Sequence, residues 1–202
     1  MIYTKDDFLD EELFKYVEDF IKKSKWEKIT IGNKDDYNFE IKYIEPEASF
    51  INYMQIWLGI IERADVEILR SFFRKSNDKF DTDWRIHNDS IVDGVQPDRA
   101  VVFYITENNM KKQNGTAFWS HKKHGYKFED LSIEEFNKLI REDSNNIKKW
   151  KLESIINHRK NRIISYPCNY FHSKYPDKVK DRTVFVAFYL SKTYENAEQE
   201  IE

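Results

Sequence analysis

Arg85-Ile86-His87-Asn88-Asp89 carries two potential metal ligands two residues apart, at the end of the alternating segment Asp81 to Asp89. Alternation of this kind reads as a strand, and residues two apart on a strand project from one face. His87 and Asp89 can therefore reach a single ion without any rearrangement of backbone. His172 lies just beyond a later strand candidate, and Arg182 opens the last apolar run ten residues further on. Two imidazoles with one carboxylate occupy one face of an octahedral ion and leave three positions open, a set that suits Fe(II) and oxidative chemistry. A His-x-Asp triplet alone is a weak signal. Its weight grows because the chain has only five histidines (His87, His121, His124, His158 and His172), and one of them sits between a late strand and an arginine that leads another.

The segments around these residues are rich in strands. Arg99 to Thr106 is a nearly continuous β-branched and aromatic run, as expected for a strand covered on both faces. Gly115 to Trp119, Trp150 to Ile156, Arg162 to Tyr166 and Thr183 to Ser191 supply four more. Ser132 with Glu135 forms a capping box ahead of Phe136, Leu139 and Ile140, so a helix is inserted among them. Toward the N-terminus, Thr4 with Asp7 makes a capping-box-like start to a helix bearing Leu9, Leu13, Tyr16, Val17, Phe20 and Ile21. Strands over Lys28 to Ile31 and Phe39 to Ile44 flank the turn-like Gly32 to Asp36. Ala48 to Lys75 reads as one long helix or two, with Ile51, Met54, Ile56, Trp57, Ile60 and Ile61 directed to a core. The expected class is α+β with a mainly β core, a jelly roll or barrel with N-terminal helices packed on one sheet. One domain spans 1–202: a helix-rich support over 1–79, a core over 80–192 with an insertion near 120–149, and an acidic tail over 193–202.

Composition narrows the partners. A net charge of −3, from 36 acidic and 33 basic residues, gives no global field for gripping nucleic acid. One cysteine, Cys168, excludes an internal disulfide and a Cys-rich zinc site, which suits a reducing cytoplasm. The longest wholly apolar run, Val184 to Leu190, has seven residues, far short of the roughly 20 that span a bilayer. Met1 to Asp10 has no apolar core of a secretory signal. Oligomeric state is not encoded legibly.

Taken in order, these residues resemble the 2-oxoglutarate- and Fe(II)-dependent oxygenases, especially their prolyl-hydroxylase-like branch. The resemblance covers nearly the whole chain. It begins at Asp7-Phe8-Leu9 and includes the strand-borne Arg85-Ile86-His87-Asn88-Asp89. It continues through Phe103-Tyr104-Ile105-Thr106, Gly115-Thr116-Ala117-Phe118-Trp119 and Asn161-Arg162 through Phe171-His172, and closes at Arg182-Thr183-Val184. The segment Tyr104-Ile105-Thr106 lacks the family's asparagine, one glycine alone precedes Thr116, and the gap from Asp89 to His172 is long, its excess lying around Ser120 to Lys149.

The resemblance implies a double-stranded β-helix with Fe(II) on His87, Asp89 and His172. It implies 2-oxoglutarate held at its distal carboxylate by Arg182, with hydrogen bonds from Tyr104 and Thr116, and dioxygen as the second co-substrate, with ascorbate as an optional reductant. A planar guanidinium suits that carboxylate better than lysine would. The implied reaction hydroxylates an unactivated C–H bond of a prolyl or other peptidyl residue. The alternative keeps the chemistry on a small metabolite, free amino acid or nucleobase. A third reading, a jelly roll that only binds, is disfavoured because all three ligands and the arginine are present.

Other groups read more plainly. Ser120-His121-Lys122-Lys123-His124-Gly125 reads as a solvated hairpin or lid tip rather than a second metal site. His158 reads as a structural residue of a polar turn, and Cys168 as a small buried thiol. Trp57, Trp84 and Trp119 read as core.

Overall fold

The computed structural model describes residues 1–31, 39–77, 84–89, 92, 94–108, 113–125, 132–176 and 179–193. In chain order the elements are β1 (Tyr3–Lys5), α1 (Glu11–Lys23), β2 (Glu27–Ile31), β3 (Phe39–Ile44), α2 (Ala48–Glu62), β4 (Ala64–Ser76), β5 (Arg99–Tyr104) and β6 (Gly115–His121). They continue with α3 (Ile133–Asp143), a 3-10 turn at Ile147–Lys149, β7 (Trp150–Asn157), β8 (Arg162–Pro167), β9 (His172–Tyr175) and β10 (Arg182–Thr193). The strands form two antiparallel sheets, a large one in the order β1-β8-β5-β10-β4-β3-β2 and a small one in the order β7-β6-β9. The segment around His87 joins the small sheet through a bridge to His172. This is the α+β class with a double-stranded β-helix core.

Three apolar layers follow from strand alternation. On β10, Phe185, Ala187 and Tyr189 pack under α1 and α2 with Phe14, Phe50, Met54, Phe73 and Phe103. Val184 on the opposite face packs between the two sheets with Tyr104, Phe118, Ile164 and Tyr166. The outer face of the small sheet, through Ala117, Trp119 and Phe171, packs with Ile86, Trp150 and Leu139 of α3. Central strands are thus apolar on both faces because both faces are covered. The N-terminal helices do lie on one sheet, as expected.

Four expectations need correction. Thr4 does not start a helix: Tyr3–Lys5 pairs with β8, and α1 begins seven residues later with Asp10 as its cap, accepting from the Leu13 N–H at 2.8 Å. Asp7 at φ 48 breaks the chain between them, and the Asn161 amide holds both backbone groups of Leu9. Ala48 to Lys75 is a helix only to Glu62. Arg63 turns left-handed at φ 53, its N–H returning to the Gly59 carbonyl, and β4 follows. Ala64-Asp65-Val66-Glu67 alternates buried and exposed, and pairing along the whole of β10 overrides the helical pattern. Within α2, Ile56 and Ile60 face outward, 64% and 62% exposed, whereas Met54 and Leu58 are buried. Finally, Trp84 to Asp89 is extended chain carrying one bridge rather than a full strand.

The turn at Gly32 to Asp36, residues 81–83 and the tail from 194 lie outside the described residues. No helix among those described is long and apolar enough to cross a membrane.

Gly115 opens β6 where β7 crowds it: a Cβ there would sit 1.9 Å from the Ile156 carbonyl oxygen. Gly115→Ala is therefore expected to destabilise the fold by about 1–3 kcal/mol, the cost of forcing an overpacked site apart. Thermal melting checks this, and an unchanged midpoint would contradict the close packing of β6 on β7.

Candidate metal centre

Backbone pairing brings the ligand candidates together. His87 and His172 exchange hydrogen bonds, His87 N–H to the His172 carbonyl at 3.0 Å and His172 N–H to the His87 carbonyl at 2.8 Å. Asp89 N–H donates to the Cys168 carbonyl at 3.0 Å, locking the next residue pair. The side chains then converge. His172 Nε2 is 3.3 Å from Asp89 Oδ2, His87 Nε2 is 3.9 Å from Asp89 Oδ1, and one ligand atom from each residue lies within 4.8 Å of the others. Donor atoms about 2.1 Å from a common ion and at right angles to one another would be about 3 Å apart, so these separations are close to a ligand set.

The tautomers are fixed from behind. His87 Nδ1 bonds the Arg85 carbonyl at 2.8 Å and His172 Nδ1 bonds the Tyr170 carbonyl at 3.0 Å. Each Nδ1 must then carry the proton, which leaves the lone pair on Nε2. Burial pushes His172 down to about 4, so the imidazole is neutral at physiological pH. Burial pushes Asp89 up to about 6, only partly opposed by His87 and Arg74. The His172 lone pair and the Asp89 carboxylate therefore face one another 3.3 Å apart, an arrangement that repels unless a cation or a proton stands between them. The donor set fits a divalent ion.

A second polar group lies deeper between the sheets. Arg182, 7% exposed, donates from Nη1 to the Gly115 carbonyl at 3.0 Å. Tyr104 OH and Thr116 Oγ1 share a buried hydrogen bond of 2.7 Å. Val184 pairs with Tyr104 across β10 and β5, so Arg182, Val184 and Tyr104 all project into the inter-sheet space. Arg182 acts electrostatically on Tyr104, opposing the upward push that burial gives its phenol.

A scan of protein-family models and a search of curated proteins by sequence each return no match. Solved structures do match over nearly the full chain. An oxidoreductase of the 2OG-Fe(II) oxygenase family from Burkholderia pseudomallei aligns at 12% identity and TM-score 0.55, covering 95% of this chain and 87% of that one. A Pseudomonas putida prolyl-4-hydroxylase aligns at 10% identity and TM-score 0.53, covering 94% and 91%. HygX from Streptomyces hygroscopicus, with nickel, 2-oxoglutarate and hygromycin B bound, aligns at 10% identity and TM-score 0.60, covering 96% and 83%. The chain has the fold of the 2-oxoglutarate- and Fe(II)-dependent oxygenases. That fold carries a candidate His-Asp-His iron site, and His87, Asp89 and His172 form the one cluster of three or more possible metal ligands among the described residues.

Around Arg182 the sequence reading missed Ser76 and gave His158 only a structural place. Ser76, fully buried at the end of β4, pairs across the sheet with Arg182, and its hydroxyl has no hydrogen-bond partner among the described residues. It was hidden because its segment carries a helical apolar pattern. His158 stacks on Tyr104, with ring centroids 4.8 Å apart and 20° between planes. Its only sequence signal was a polar turn. The reading of Ser120 to Gly125 as a solvated lid tip is corrected for His121, which is buried, bonded to Asp143 at 3.2 Å and stacked on His124. Trp119 is core, as expected, donating to Ser173 at 2.9 Å, and Cys168 is a buried thiol pushed far up by burial.

Asp89 yields a prediction for the metal-free protein. Its folded pKa of about 6 lies above the ordinary 3.8, so its contribution to stability is full at low pH and is lost as pH rises between those values. Asp89→Asn should melt higher than the wild type near pH 7.5 and like it near pH 4. A divalent ion should raise the wild-type midpoint near pH 7.5 and leave the variant unmoved. A variant less stable at both pH values would contradict the uncompensated carboxylate.

Proposed function

We propose that this chain is a 2-oxoglutarate- and Fe(II)-dependent dioxygenase that hydroxylates an unactivated C–H bond. The observation that carries the reading is the convergence of His87, Asp89 and His172 beside a buried arginine, in the fold that those enzymes share. His87, Asp89 and His172 would hold the iron, each imidazole through the Nε2 that its carbonyl partner leaves bare of a proton. Arg182 would pair with the distal carboxylate of 2-oxoglutarate, with Tyr104 and Thr116 hydroxyls donating to it. Bound iron would activate dioxygen, the oxidant, one oxygen atom leaving in succinate as carbon dioxide is lost and the other entering the C–H bond.

The chain's own part is to bind, orient and keep water out. Phe118, Tyr166 and Val184 line the inter-sheet space around these groups and exclude water, which strengthens every charge interaction there. The His87 side chain is 40% exposed while that of His172 is 8% exposed, so the triad opens to solvent on the His87 side. A substrate would approach from there. A peptidyl residue, prolyl or other, and a small metabolite are both compatible with an opening of this kind.

Purified protein given Fe(II), dioxygen and 2-oxoglutarate is expected to form succinate slowly even without substrate. Arg182→Ala should weaken 2-oxoglutarate on the order of a hundredfold, the scale of losing one buried charge-assisted pair, with metal affinity unchanged. Unaltered co-substrate affinity in that variant would remove Arg182 from its role. Mass spectrometry then separates the substrate classes by where one oxygen atom is gained, on a peptide or on a small molecule.

A further inference from the structure

Ser76 pairs with Arg182 and His158 stacks on Tyr104, and each keeps a buried polar atom without a partner among the described residues. Ser76 is the last residue of β4 and Arg182 the first of β10, directly paired, so their side chains leave the same face of the sheet. Arg182 reaches across to the Gly115 carbonyl of the small sheet, which fixes that face as the inter-sheet one. The Ser76 hydroxyl is thus buried on the face that carries Arg182, with nothing to bond among the described residues. Buried polar atoms in folded proteins almost always have partners, and the exceptions ask for a ligand or a function.

His158 is 4% exposed and held at three points. Its N–H donates to the Asn114 carbonyl at 2.6 Å, its Nε2 bonds the Thr106 carbonyl at 2.7 Å, and its ring lies flat on Tyr104. Because Nε2 faces a carbonyl it must carry the proton, which leaves Nδ1 as a bare acceptor, buried and without a partner. Burial and the Arg182 charge push the imidazole down to about 4, so it stays neutral. A neutral acceptor cannot bond a carboxylate. Its use is mechanical: the stack fixes the plane of the Tyr104 ring and with it the place of the phenol oxygen.

We propose that Ser76 and His158 are two further residues of the oxoacid pocket, Ser76 donating its hydroxyl to the distal carboxylate and His158 acting as a positioning residue that aims Tyr104 at it. This rests on the oxygenase reading and specifies its co-substrate site more narrowly. The pocket would then recognise the carboxylate through Arg182, Tyr104, Thr116 and Ser76, on four different strands.

The test is calorimetric binding to protein loaded with Ni(II) in place of iron, so that no turnover is involved. The ligands are 2-oxoglutarate and oxalate, whose two adjacent carboxylates chelate a metal and leave no distal group. Ser76→Ala and His158→Ala are each expected to weaken 2-oxoglutarate about tenfold, the scale of one hydrogen bond to a charged group, and to leave oxalate unchanged. His158→Phe, which keeps a ring on Tyr104, should restore 2-oxoglutarate binding to within about threefold of the wild type. If His158→Ala does not fold, Ser76→Ala and His158→Phe still decide the matter. Unchanged 2-oxoglutarate affinity in Ser76→Ala, an equal loss for both ligands, or a His158→Phe variant weakened tenfold or more would overturn the assignment while leaving the oxygenase reading intact. A wild-type protein that binds Ni(II) and oxalate yet not 2-oxoglutarate would overturn both.

Discussion

The two histidines and the aspartate set the hardest constraint in this molecule. Each imidazole spends its Nδ1 proton on a backbone carbonyl, so both turn a lone pair toward a carboxylate that burial already disfavours as an anion. Nothing in ordinary core packing rewards such a cluster, since buried charge without a counter-charge is costly. The backbone nevertheless goes to some length to build it, with reciprocal hydrogen bonds between His87 and His172 and a third from Asp89 to Cys168. A cation in the centre turns three repulsions into three attractions. Much of the surrounding architecture makes sense as support for that exchange.

The sheets supply the support. Because β5, β10 and β8 are covered by helices on one face and by the small sheet on the other, every second side chain on them enters the inter-sheet space. That alternation delivers Arg182, Val184 and Tyr104 to the inter-sheet space and sends Phe103, Phe185 and Tyr189 to the helical side. A one-residue slip of β10 would exchange the two sets, burying the arginine under α2 and taking it out of the inter-sheet space. The pairing of β10 with β4 along twelve residues and with β5 along six holds the register against such a slip. The position of the guanidinium is therefore a property of the whole sheet.

How much of this was legible in the sequence depended on how local the signal was. Arg99 to Tyr104 and Trp150 to Asn157 announce themselves as strands through their own side chains, and Ser132 with Glu135 is a capping box the structure reproduces in full. The grouping of His87, Asp89 and His172 was legible because residue types and spacing carry it. The β4 strand was not, since Ala48 to Lys75 holds apolar residues at spacings a helix could use, and only the distant β10 decides otherwise. Thr4 failed similarly, with pairing to β8 outweighing a plausible cap. Ser76 was invisible and His158 legible only as a structural residue for the same reason: a lone hydroxyl or imidazole acquires meaning from neighbours about a hundred and about fifty residues away in the chain, brought close only by folding.

The most direct measurement is anaerobic Fe(II) binding by equilibrium dialysis, comparing the wild type with His87→Ala, Asp89→Ala and His172→Ala, each checked for folding. One iron per chain in the wild type, and loss of tight binding in all three variants, is the expected result. Iron retained at wild-type affinity by folded His172→Ala would show that the three side chains do not share an ion, and the account of this site would fail.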